Sequence, residues 1–104
     1  MSYEKLMDEE LLEFETLSYE QQSTLIKWCE SLSKIKSFNF NHTSYGLKHL
    51  FEKEPFGFYI TNGAFKKAMI EAGFKHTSKN GSINWNFNIS EKSLKAIRTA
   101  QRNI

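Results

Sequence analysis

An α+β fold is the class this chain predicts, on three observations. Apolar residues recur at helical spacing through much of its length, the stretch Ile83, Trp85, Phe87, Ile89 alternates strictly with asparagines, and an Asn80-Gly81 pair stands just before it. A 3.6-residue period marks an amphipathic helix and a period of two marks a half-buried strand. Asn-Gly supplies the two positive-φ positions that a tight type I′ hairpin turn requires. A helix over 63–72 followed by such a hairpin, with lysines at the helix start and the hairpin tip, is the outline of a winged helix. The expected organisation is an acidic N-terminal helical arm at 1–17, then a winged-helix domain at 18–104 that ends in a C-terminal helix.

The elements follow in order. Leu6, Leu11, Leu12, Phe14 and Leu17 predict a helix over 3–17, without a clean single stripe. Ser18 followed by Gln21 has the form of a capping box, opening a helix over 19–35 that carries Leu25, Trp28, Cys29, Leu32 and Ile35 on one face. KSFNFNHT has no helical period and reads as a linker. Thr43 or Ser44 caps the next helix, with Leu47, Leu50 and Phe51 inward, and Pro55 ends it. Residues 56–60, aromatic and β-branched after a proline, favour a short strand. Asn62 is placed as the cap of the helix over 63–72, which buries Phe65, Ala68, Met69 and Ala72, turns Lys66, Lys67 and Glu71 outward, and closes on Gly73. In the hairpin, Ile83, Trp85, Phe87 and Ile89 face the core, and Asn84, Asn86 and Asn88 face solvent or a ligand. Ser90 caps a final helix over 91–102, with Leu94 and Ile97 inward and Lys95, Arg98 and Arg102 along a basic ridge.

Composition narrows the function. At 104 residues, 39% hydrophobic and 25% charged, the chain supports a single core. No run approaches the roughly 18 apolar residues of a membrane span, and the start is acidic where a signal peptide is basic and then apolar, so a cytoplasmic protein is expected. The single cysteine, Cys29, lies in an apolar stripe and reads as core. His42, His49 and His76 fall on a loop, a helix and a wing strand without carboxylates or cysteines at ligand spacing, so neither a metal site nor catalysis is expected, and Gly-rich phosphate loops are absent. No cofactor is expected. Charge is segregated: residues 1–20 hold seven acids and one lysine, the remainder thirteen bases and five acids. A basic body suits a polyanion, because lysines attract phosphates whatever the base sequence.

The candidate interface combines two elements. Asn62 and Gly63 at a helix N-terminus offer backbone amides and a positive dipole end to a phosphate, with Lys66 and Lys67 one turn on. The wing adds Lys75 and Lys79, with His76 beside them, and Arg98 stands on the flanking ridge. Phe38, Phe40 and Tyr45 have no evident core position and are candidates for stacking on bases.

The runs TSYGLKHLFE, GFYITNGAFKKAMIEAGFK and NWNFNISEKSLKAI resemble small proteins encoded on mobile elements of low-GC Gram-positive bacteria, including phages and staphylococcal cassette chromosomes. The resemblance covers residues 43–97. Within that group the chain looks like the small winged-helix protein of the cassette replication module, which implies single-stranded DNA binding beside a helicase and a polymerase. It departs from ordinary winged-helix regulators in the segment GFYI, which separates two core helices and puts major-groove reading by the third helix in doubt. Two rival expectations stand: a regulator that binds double-stranded DNA, and an adaptor or inhibitor that binds a protein through the acidic arm.

Overall fold

The computed structural model describes residues 9–103. The beginning of the expected N-terminal helix lies outside that range. Residues 9–11 are helical and pass into a 3-10 helix, Leu12–Thr16. The architecture is α+β, with helices packed around one core beside a small antiparallel sheet.

Helix α1 is Tyr19–Glu30, and its capping box is complete: Gln21 N donates to Ser18 Oγ at 3.1 Å and Ser18 N donates to Gln21 Oε1 at 3.0 Å. The helix stops short of the expected end. Ser31 Oγ turns back onto the Trp28 carbonyl, and Ile35 belongs to strand β1, Lys34–Asn39, which runs through the first part of the supposed linker. Helix α2, Ser44–Glu52, starts on Thr43, one of the two caps the sequence allowed, and buries Leu47, Leu50 and Phe51. Residues 56–60 form no strand. They have no strand neighbour to pair with, and the Phe58 ring packs edge-on against Phe51, 5.1 Å between centroids, while Ile60 N donates to Glu52 Oε2.

Helix α3 is Asn62–Glu71, capped by Thr61 and not by Asn62: Ala64 N donates to Thr61 Oγ1 at 3.1 Å. Phe65, Ala68, Met69 and Ala72 are buried, and Gly73 closes the helix at φ 90°, the left-handed conformation that glycine adopts without a steric cost. The hairpin follows as β2, His76–Thr77, and β3, Asn86–Ile89. Asn80 and Gly81 both have positive φ, as a type I′ turn would demand, but they lie inside a 3-10 turn, Lys79–Gly81. The strand register, His76 opposite Phe87, leaves 78–85 as a wide loop in place of a two-residue turn. Ile83 therefore falls in the loop, 63% exposed, whereas Trp85, Phe87 and Ile89 are core. The last helix, α4, Glu91–Arg102, begins on the Ser90 cap and buries Leu94.

The sheet order is β1-β3-β2, all antiparallel, with a register irregularity in the β1–β3 pair between Lys34 and Asn39. Asn86 and Asn88 are buried where the alternation turned them toward solvent or a ligand, because their carboxamides find backbone partners. Asn88 Nδ2 donates to the Ile35 carbonyl and its Oδ1 accepts from Lys75 N, while Asn86 Nδ2 donates to the His42 carbonyl. The carboxamides thereby pair backbone groups of the flanking segments.

The acidic arm joins the same core over its described part. Phe14 is buried, and Leu11 and Leu17 pack against the cluster.

Candidate nucleic-acid interface

At the start of α3 the sequence places a phosphate; the structure places Glu10. Lys66 is fully buried, its ammonium 2.8 Å from Glu10 Oε2 and 2.6 Å from the Ile83 carbonyl, with the Trp85 ring centroid 4.5 Å away. Gly63 faces the arm so closely that a Cβ there would overlap the Glu10 carbonyl. An acid near a helix N-terminus is stabilised by the same unpaired amides and dipole that would attract a phosphate. Asn62 turns aside, Nδ2 donating to Asn84 Oδ1 at 3.1 Å. Lys67 pairs with Glu71 at 2.9 Å and borders a cavity lined by Leu11, Leu12 and Glu15. The expected group Asn62, Gly63, Lys66 and Lys67 is thus brought together but lies against the arm, and Lys66 is no surface contact. Its burial was not readable from α3 alone, because its partners come from Glu10 and Ile83.

The hairpin residues have a different setting. Lys75 and Lys79 are exposed, and the Lys79 ammonium sits 4.4 Å from the centroid of Phe40. Phe40 is 50% exposed, and the half-buried Phe38 lies 6.3 Å from it, ring to ring. Phe38 and Phe40 share one side of the chain because Asn39 between them points the other way, donating to the Ile89 carbonyl and to Glu91 Oε1. Glu91 in turn holds His42 Nε2 at 2.8 Å, and Arg98 lies against His42 Nδ1 at 3.2 Å. Arg98 is therefore tied to the end of β1 through Glu91 and Asn39. The hydrogen bond from Asn39, joined by His42 and Arg98, outweighs the effect of burial and holds the Glu91 carboxyl below its ordinary range.

His76 is itself exposed, but one face of its ring stacks flat on the buried Trp85, 3.9 Å between centroids and 7° between planes. Burial, then the nearby Lys66 charge, lowers its pKa. Tyr45 lies apart from the phenylalanines, against His49 and Lys48. Lys48 and Tyr59 escaped the sequence reading. The alternation Phe58, Tyr59, Ile60 was the available signal, since it turns the tyrosine outward while its neighbours pack.

Among the described residues no three His, Cys, Asp or Glu side chains gather as a metal site, and no helix is long and apolar enough to cross a membrane. Cys29 is buried, which pushes its thiol pKa up and leaves it unreactive. Comparison of the chain with protein-family models, with curated proteins and with solved structures finds no match.

Proposed function

We propose that this chain is a non-enzymatic winged-helix protein that binds single-stranded DNA in the cytoplasm, as an accessory of mobile-element replication beside a helicase or polymerase. The observation that carries the binding mode is the meeting of Lys79 with the exposed Phe40, beside the half-buried Phe38. Rings take bases and lysines take the backbone. The Lys79 contact with Phe40 is no obstacle: an exposed cation–π pair contributes about 0.5–1 kcal/mol, whereas stacking a base on an aromatic ring contributes about 1–3 kcal/mol. A base would displace the ammonium toward its own phosphate.

The winged-helix reading draws support from element order. Helix, strand, helix, helix, strand, wing, strand, with the first strand beside the third, is the order that such a domain uses. The replication role rests on the resemblance to cassette and phage proteins. The duplex-regulator reading is disfavoured because the arm covers α3 at Gly63 and Lys66, on the helix that would have to enter a major groove. An adaptor acting through a free arm is disfavoured for its described part, which is packed by Phe14.

Fluorescence anisotropy of a labelled single strand against its duplex, at two salt concentrations, tests the proposal. Tighter, salt-sensitive binding of the single strand is expected, weakened by about 1–3 kcal/mol in Phe40→Ala and with a shallower salt slope in Lys79→Ala. Preference for duplex, or full affinity in both variants, would overturn it.

A further inference from the structure

We propose that Tyr45 and Tyr59 form a second base-stacking platform, which takes the same single strand beyond Phe38 and Phe40; this rests on the single-strand reading above. Tyr45 is 54% and Tyr59 76% exposed, and both rings flank one ammonium: Lys48 Nζ lies 5.4 Å from the first centroid and 5.1 Å from the second. Large exposed rings scattered singly need no explanation. Two rings ordered around a buried lysine are a different matter.

The ordering has a visible cause. Lys48 Nζ donates to Glu52 Oε2 at 3.2 Å, and the same oxygen accepts from Ile60 N at 3.0 Å, so one carboxylate ties α2 to the segment that carries Tyr59. His49 completes the support, 2.9 Å from Glu52 Oε1 and edge-on to Tyr45 at 4.5 Å. The carboxylate is therefore matched by the Lys48 ammonium, the Ile60 amide and the His49 ring. What the patch shows outward is two ring faces with little net charge, which suits bases better than phosphates or an acidic peptide.

Its position suits a continuous strand. Phe40 and Tyr45 leave opposite ends of a turn that Trp85 and Asn86 pin through Ser44 N to the Trp85 carbonyl, Trp85 N to Ser44 Oγ, and Asn86 Nδ2 to the His42 carbonyl. Five residues of chain reach at most about 17 Å, so the two platforms lie within one short oligonucleotide.

The test compares oligodeoxynucleotides of about 4 and about 16 nucleotides, the range of single-strand site sizes on small domains. In Tyr45→Ala/Tyr59→Ala, affinity for the longer strand is expected to fall at least about tenfold, with the shorter unaffected, and Tyr45→Phe/Tyr59→Phe is expected to restore it by keeping both rings. An unchanged affinity for the longer strand, or an equal loss at both lengths, would overturn the second platform while leaving Phe38 and Phe40 in place. If the unaltered protein bound neither length, the single-strand reading itself would fail, and this inference with it.

Discussion

Lys66 shows how far one side chain can depart from its apparent purpose. On a helix with Lys67 beside it, it has the look of a phosphate contact, yet it is fully buried between Glu10, the Ile83 carbonyl and Trp85. Removing one member of a buried pair strands the other, and Lys66→Ala is expected to cost about 3 kcal/mol of stability. Urea denaturation measures this, and a loss as small as that of an exposed lysine would refute the buried-pair account. His76 yields a prediction in pH. Its folded pKa is depressed, so between that value and the unfolded value of about 6.5 the unfolded chain binds more protons, and stability rises with pH. Its contribution is intact above about pH 6.5 and lost as pH falls through the folded pKa. His76→Phe keeps a ring on Trp85 and is expected to flatten that slope; a pH–stability curve identical to the parent's would remove His76 as its origin. At Glu52 burial acts to raise the pKa, but the Ile60 amide, Lys48 and His49 prevail and lower it, so its contribution disappears at more acidic pH, below the ordinary carboxylate range.

At the scale of elements, the helices with local start signals were readable and the sheet was only half so. The capping box at Ser18 and the Ser90 cap depend on atoms three residues apart, and both helices start where those signals stand. Strand β1 has no such local signature. Lys34, Ile35, Lys36 and Ser37 are all exposed, so there is no apolar alternation to detect, and the strand exists because β3 lies beside it. Alternation alone turns the asparagines of β3 toward solvent or a ligand. Because Asn88 instead serves the Ile35 carbonyl and the Lys75 amide, Asn88→Ala is expected to cost about 2 kcal/mol by leaving both unpaired. The exposed Asn41→Ala, by contrast, should stay within about 0.5 kcal/mol. Equal unfolding midpoints for the two variants would contradict the stitching role.

At the scale of the whole molecule, the arm changes what the surface can do. Phe14 is buried in the common core, and Phe14→Ala is expected to lower stability by about 3 kcal/mol. A freely moving arm would show almost no change in the same denaturation curve. Truncating residues 1–17 is consequently a poor test of function, since it removes part of the core together with the acids that cover α3. Substitutions at Phe40, Lys79, Tyr45 and Tyr59 leave that core alone, and the proposed DNA binding is best tested with them.

Sequence by itself determined the α+β class, the helix starts at Ser18 and Ser90, the closure at Gly73, and the burial of Phe65, Trp85 and Phe87. These follow from periodicity and from hydrogen bonds between near neighbours. Tertiary structure alone decided that β1 is a strand, that Asn86 and Asn88 face backbone and not solvent, and that Lys66 answers Glu10 while Lys79 reaches Phe40. Each of those outcomes depends on groups brought together across 38 or more intervening positions, or across a change of element. Local pattern carries no information about such a neighbour, because the distance between them is set by the packed core and not by the chain between them.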